Sequence, residues 1–332
     1  MIDFIHIGYH KTGTTWLQYH GLRKHPNIIL INFKRNQDAR IVDVPGVNKL
    51  LRQLCSMSDF DFQPEYFKEK FKEIISKYTT SSSAIGVSFE GLSGNNLNGN
   101  DSARIANRVF EIFGPTKIII VIRNQIDMIN SIYKQYIQTG GTLSIKQFLD
   151  KDRFPVADLI NKLQYNKLIN YYQQLYSKEN VFIGVYELFK LDKEEFMKDL
   201  YNFIGVKSKL IYGDSDIYIN KSHHYLTLRV DRCINLLFAN RYALSLLGDW
   251  LFKVKIKSRR GYLLPIGTIY RRVIIEKYVD PILYRFFKVK PLLSNSDKKN
   301  IGSMFFECNY ELTKMLNMNI ANYGYPMEKA EL

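Results

Sequence analysis

Ile7-Gly8-Tyr9-His10-Lys11-Thr12-Gly13-Thr14-Thr15-Trp16 is the stretch that decides how this chain folds. Just before it, residues 2–7 alternate around Phe4, Ile5 and Ile7 and predict a first strand, buried on both faces if the sheet is parallel. After it, a helix is predicted from about Thr15 to Lys24, stopped by His25-Pro26. Where a strand turns into a helix, backbone N–H groups and the helix dipole already make an anion site. The plainer reading, a Gly-Thr turn that merely joins strand to helix, does not account for strand, loop and helix falling in that order.

Gly8 and Gly13 have four residues between them, the spacing of the glycines in a nucleotide-binding Walker loop. Such a loop would continue with Lys-Ser/Thr. Here Thr14-Thr15 stand in that place, and the lysine sits inside the loop as Lys11. The position that clasps a β/γ-phosphate has therefore lost its cation. The displaced lysine is expected where a bridging oxygen between two anionic groups would lie, with two hydroxyls to bond a terminal phosphate.

Outward from this loop, strands are predicted at 28–32, 84–88, 117–122 and 181–186. Ile118 to Ile122 are five consecutive β-branched residues, which fit only the centre of a sheet. Two helices are predicted across 45–80 with a break at Ser58–Asp61. A loop at 95–101 ends in a helix cap, a helix follows at 126–138, helical patterns run to about 176, and another helix spans Glu194–Ile204. The C-terminal third reads as mostly helical, with a last amphipathic helix near 297–317. Strands alternating with helices mean βαβ units around a parallel sheet, an α/β fold.

A second cluster follows the strongest strand: Arg123-Asn124-Gln125-Ile126-Asp127, with Ser131 and Tyr133 further along. Arg123 is expected at a strand's C-terminal end, where open α/β sheets bind ligands. Ser131 comes about two turns into the next helix, on a polar face with Asp127, and an arginine and a hydroxyl can share one phosphate. The alternative is an ordinary helix cap beside a solvated arginine.

Taken together, the two clusters resemble the sulfotransferase family. Its members use 3′-phosphoadenosine 5′-phosphosulfate (PAPS), with the first loop on the 5′-phosphosulfate and the second motif on the 3′-phosphate. The resemblance implies that His10, Lys11, Thr12, Gly13, Thr14, Thr15 and Trp16, together with Arg123 and Ser131, bind this cofactor without a metal. Two departures stand out: the family usually has proline or arginine where His10 stands, and proline where Gln125 stands. Val185-Tyr186-Glu187-Leu188 is similar to a Tyr-Glu-x-Leu element of the family. The run from Asn309 to Pro326 looks like the ending of bacterial carbohydrate-type sulfotransferases. The implied architecture is a single P-loop-like domain over 1–332, with a central parallel β-sheet flanked by helices. It comprises an α/β cofactor-binding core at 1–205 and a mostly helical part at 206–332 that covers substrate and cofactor. Lys257-Ser258-Arg259-Arg260-Gly261 has the character of the family's late loop over the 3′-phosphate, which puts Arg260 and Gly261 on the cofactor. Lys257 and Arg259 would serve an anionic acceptor equally well. Asn220-Lys221-Ser222 is a further segment of the kind that reaches the cofactor in relatives.

Sulfuryl transfer needs a base for the acceptor's proton and a cation for the leaving phosphate oxygen. Lys11 fits the second role. Ser88-Phe89-Glu90 follows the third strand, so Glu90 is expected at the same sheet edge, in the order in which glycan-modifying members place their glutamate. The alternatives are a solvated loop glutamate, or His10 or His20 as base. His223-His224 are adjacent and have no third ligand nearby, so no metal is expected there.

Composition sets the outer bounds. The chain has 332 residues, 46% apolar and 24% charged, which excludes a disordered or fibrous chain. Cys55, Cys233 and Cys308 are odd in number and far apart, so a reducing compartment is expected and a disulfide framework is not. The start of the sequence has no basic n-region, and no run reaches the roughly 18 apolar residues of a spanning helix. The formal charge is +15, and residues 251–290 hold eleven Lys and Arg against two acids. Mixed with Trp250, Tyr278, Tyr284, Phe286 and Phe287, that segment suits a glycan groove or an anionic lipid surface. The expectation is a cytoplasmic enzyme acting on a small-molecule or glycan acceptor, with peripheral contact to the inner membrane face or a lipid-linked acceptor. Nucleic acid is not the expected partner. The competing classes are a P-loop kinase, which would need Gly-Lys-Ser/Thr and a Walker B aspartate, and a basic protein that only binds anionic surfaces.

Overall fold

Five β-branched residues in a row cannot all face one side of a strand, so the segment they form must be covered on both. The computed structural model describes residues 2–35, 41–78, 83–150, 152–153, 156–207, 224–237, 255–257, 263–265, 278–288 and 290–328. In it, β1 is Phe4–His6, β2 Ile28–Leu30, β3 Phe33–Arg35, β4 Ile41–Asp43, β5 Ala84–Ser88, β6 Lys117–Ile122 and β7 Val181–Val185. Five of these form one sheet in the order β2-β5-β1-β6-β7, every pair parallel. Ile118 to Ile122 are buried on both faces, as their sequence requires. This is the expected α/β fold with a central parallel sheet. From β1 the chain first builds strands on one side and then crosses to the other. The strand order reverses next to β1, and sheets of this kind bind ligands at the strands' C-terminal ends beside such a switch point.

Helices alternate with the strands along the chain. They are α1 Thr14–Trp16, α2 Pro45–Ser56, α3 Pro64–Ser76, α4 Ser102–Phe113, α5 Gln125–Gln138, α6 Ile145–Phe148, α7 Leu159–Lys162, α8 Tyr165–Tyr176, α9 Tyr186–Leu191 and α10 Lys193–Ile204. Prolines at the first helical turn open α2 and α3, where the missing N–H costs nothing. Asp192 separates α9 from α10, its carboxylate accepting from the Glu195 N–H at 2.9 Å. The helix predicted from Thr15 to Lys24 is α1 continued by a π-turn over Leu17–Leu22.

By internal contacts the chain groups into two compact units. One holds Met1–Gln125, Asp158–Ile217 and Gly302–Leu332; the other holds Ile126–Ala157 and Tyr218–Ile301. Within the second lie α11 (Tyr225–Leu237), β8 (Lys255–Lys257) paired antiparallel with β9 (Leu263–Pro265), and α12 (Asp280–Phe286). There the Asp280 carboxylate accepts from the His224 N–H at 3.1 Å and from Thr227 Oγ1 at 2.6 Å. The long helix predicted near 297–317 is two helices, α13 (Asn295–Met304) and α14 (Phe306–Leu316). The break buries Phe305 completely, and Gly302 sits where Pro326 passes closely. The two hairpins, β3–β4 and β8–β9, have strands of three residues, too short to leave a periodic signal. Among the described residues no helix is long and apolar enough to cross a membrane, and Cys55, Cys233 and Cys308 are free.

Candidate active site

The loop after β1 is held by its own residues. Gly13 opens α1 in the left-handed region at φ 78°, and the space a Cβ would need there is taken by the rings of Tyr186 and Phe189. Lys11 adopts φ 68° without being a glycine, a strained conformation of the kind found at functional sites. Thr12 is fully buried and its Oγ1 donates to the Tyr9 carbonyl at 2.6 Å; Thr14 Oγ1 reaches the same carbonyl at 3.3 Å. The Thr12 hydroxyl is thus used within the loop, whereas Thr15 is exposed. Trp16 packs against Phe189 and stacks on His20, with the Lys193 ammonium 4.8 Å from its ring. Burial, Lys24 and Lys193 all hold His20 below the ordinary histidine value.

The end of β5 brings Glu90 to this loop, as its place in the sequence predicts. Glu90 Oε2 lies 2.7 Å from His10 Nδ1, and the pair is partly open to solvent. Burial pushes the Glu90 carboxyl up, but hydrogen bonds from His10 and Thr14 and nearby positive charge outweigh it, so its pKa lies below the ordinary glutamate value. Glu90 and His10, alternatives from sequence, are here partners. Partial loss of solvent around it lowers the pKa of the Lys11 ammonium, Glu90 opposing the shift and Arg123 adding to it.

Arg123 emerges from the C-terminal end of β6 and donates from Nη1 to the Lys11 carbonyl at 3.0 Å. Its guanidinium lies over the Tyr186 ring, 5.0 Å from the centroid. The backbone around it is fixed from far along the chain. Tyr165 Oη donates to the Arg123 carbonyl at 2.7 Å, and the Asn124 N–H donates to Glu187 Oε1 at 3.0 Å. Asn124's side-chain amide donates to the Gly324 carbonyl, and Tyr325 Oη to Glu187 Oε2 at 3.1 Å. Gln125, in place of the family's proline, donates from Nε2 to Asn309 Oδ1 at 2.6 Å. Burial raises the Glu187 pKa, and these donors offset it only in part.

Ser131 lies six residues beyond Gln125 in α5, in the second unit. Asn220, Lys221, Ser222, His223, Arg259, Arg260 and Gly261 lie outside the described residues, as does much of 251–290. Sequence reasoning missed His6, Gln18 and Tyr165. His6 is hidden in a buried strand, where an imidazole at an otherwise apolar position is the one available signal. Among the described residues, no group of three or more His, Cys, Asp or Glu is placed to hold a metal ion.

Two cations at converging strand ends, joined through the Lys11 carbonyl, with an ionised carboxylate beside them, can hold an anionic group and accept a proton next to it. Residues 107–233 match the family model described as the sulfotransferase domain. The fold, the loop and this match define a transferase of the sulfotransferase class. The chain is an enzyme of that class, and the matched segment carries Arg123 but stops short of the loop at 7–16. Among solved structures, it is similar to a sulfotransferase from Alicyclobacillus acidocaldarius at 17% identity, covering 71% of this chain and 93% of that one, TM-score 0.47. A mouse sulfotransferase, SULT7A1 complexed with PAP, matches at 15% identity over 95% and 88%, TM-score 0.43. The sulfotransferase domain of the Synechococcus PCC 7002 olefin synthase matches at 15% over 63% and 74%, TM-score 0.38. No curated protein sequence matches the chain significantly.

Proposed function

We propose that the enzyme moves a sulfuryl group from 3′-phosphoadenosine 5′-phosphosulfate to a hydroxyl or amine of a carbohydrate or glycolipid acceptor. The observation that carries this reading is the hydrogen bond from Arg123 to the Lys11 carbonyl, which ties both motifs to one place. Lys11 and Arg123 fit a ligand with two anionic groups, and no lysine follows Gly13 to clasp a γ-phosphate. The donor supplies an activated sulfuryl group on a phosphate leaving oxygen. Glu90 takes the acceptor's proton, and His10 orients its carboxylate. Lys11 stabilises the charge that grows on the leaving oxygen, and Arg123 holds the 3′-phosphate. The test is thermal: 3′-phosphoadenosine 5′-phosphate should raise the melting temperature well above what ATP with Mg²⁺ does at equal concentration. Equal shifts would overturn the donor assignment.

A second reading concerns location. Tyr278, Ile282, Tyr284, Phe286 and Phe287 are all exposed large apolar residues, interleaved with Arg285 and Lys288. That mixture supports peripheral contact of a cytoplasmic enzyme with an anionic membrane face. The protein should sediment with phosphatidylglycerol vesicles and not with phosphatidylcholine vesicles; equal sedimentation with both removes the electrostatic part of the reading.

A further inference from the structure

Beneath the loop lies a buried polar chain that the proposed mechanism leaves unused. His6 Nδ1 is 2.7 Å from Ser88 Oγ. Gln18 Nε2 donates to the Ser88 carbonyl at 3.1 Å and to Ser88 Oγ at 3.0 Å. The Ser88 backbone is fixed in turn by Asn32, whose Nδ2 donates to its carbonyl at 2.9 Å. Because the Ser88 hydroxyl oxygen already accepts from Gln18, its own proton is free to go to His6 Nδ1. With the Ser88 proton on Nδ1, the imidazole proton sits on Nε2, the tautomer the proposal below requires. Burial lowers the His6 pKa to about 4, so the ring is neutral at neutral pH. His6 is 1% exposed, and its Nε2 has no hydrogen-bond partner. A buried donor without an acceptor is costly and calls for a reason.

Gly8 shows where that donor faces. A Cβ on Gly8 would lie 2.7 Å from His6 Nε2 and 3.2 Å from Thr14 Oγ1, so both polar atoms border the same gap. The Thr14 hydroxyl has a single proton, which now faces two acceptors, the Tyr9 carbonyl at 3.3 Å and the Glu90 carboxylate. We propose that His6 is a positioning residue for anion binding: when an anion fills the loop, the Thr14 side chain turns, giving its proton to the anion and bringing its oxygen within reach of His6 Nε2–H across the gap kept open by Gly8. The idea that the anion is the donor's phosphosulfate end rests on the function proposed above; the relay from Ser88 through His6 to Thr14 does not.

The test uses the full chain and two probes, 3′-phosphoadenosine 5′-phosphate and inorganic pyrophosphate, with affinities from calorimetry. His6→Leu should weaken binding about tenfold, the scale of one hydrogen bond to a group that touches a charge. His6→Gln, whose amide can replace the Nε2–H, should stay close to the wild type. In a Thr14→Val background, His6→Leu should cost nothing further, which a merely structural role would not produce. Nitrogen-15 shifts of His6 should report the Nε2–H tautomer in the free protein. An Nδ1–H tautomer, unchanged affinity in His6→Leu, or an equal loss in the Thr14→Val background overturns the proposal. If His6→Leu does not fold, Ser88→Ala, which releases the tautomer, carries the same comparison. A wild type that binds pyrophosphate but not the bisphosphate overturns the donor assignment and leaves the relay to be decided on pyrophosphate. Binding neither overturns the relay too.

Discussion

Two loops leave the C-terminal edge of the sheet side by side, and they are built in opposite ways. The one after β1 is secured within itself: Thr12 and Thr14 both reach the Tyr9 carbonyl, and Gly13 provides the turn into α1. The one after β6 is secured from outside, by Glu187, Tyr165, Asn309 and Gly324, none of them within 40 residues of Arg123. Each also has its own glutamate, shifted in opposite directions. Glu90, beside the first loop, is held below its ordinary value by His10 and Thr14 despite its burial. Glu187, behind the second, is raised because burial outweighs its donors. Opposed environments of this kind assign different roles to chemically identical groups. Glu90 stays ionised and able to accept a proton, while Glu187 anchors backbone.

If that division of labour holds, substitutions at the first loop strike the chemical step and those at the second strike binding. Glu90→Gln keeps the shape but cannot accept a proton, so single-turnover transfer should fall by about 10²–10⁴-fold with donor affinity retained. Lys11→Met removes one preorganised charge and should slow the same step by about 10²–10³-fold. A near-normal rate in Glu90→Gln would move the base to His10 and erase the contrast. Next in size, Arg123→Ala should cost about 1.5–3 kcal/mol of bisphosphate binding, measured by calorimetry, and should leave the rate of the bound complex much less affected. The reverse pattern would merge the two loops into one functional unit.

The smallest effect sharpens the contrast through pH. A carboxyl with a lowered folded value adds stability above its unfolded value, and that stability is lost as pH falls through the folded one. Glu90 is of this kind. Glu187 is the opposite: its contribution is present below the unfolded value of 4.5 and is lost as pH rises through the raised folded value. Urea unfolding across this range should therefore show the gap between wild type and Glu90→Gln widening in favour of wild type as pH rises. The gap to Glu187→Gln should move the other way. Parallel curves would mean the two carboxyls share one environment.

The same difference explains what could be read from sequence. The first loop was legible because the hydroxyl bonds and the glycine that make its turn lie within ten residues, and the fixed interval from Gly8 to Gly13 announces it. The sheet centre was legible because five β-branched residues admit one environment. Arg123 could be singled out by its place after a strand, yet its anchors could not: Tyr165 and Asn309 carry no local sign that they meet this loop. His6 stayed hidden because a strand that alternates around Phe4, Ile5 and Ile7 reads as apolar whatever the imidazole does. The helix near 297–317 reads as continuous because nothing local signals Phe305's burial or Pro326's approach.

The bond from Asn124 to the Gly324 carbonyl also has a consequence for the order in which the protein comes into being. A ribosome adds about 5–20 residues per second, so roughly 10–40 s pass between the synthesis of these two partners. All five strands of the sheet exist once Val185 has been made, and the first loop can close on itself at once. The second waits for Asn309, Gly324 and Tyr325. A nascent chain therefore carries a closed first loop beside an unfinished second one until Tyr325 has been made.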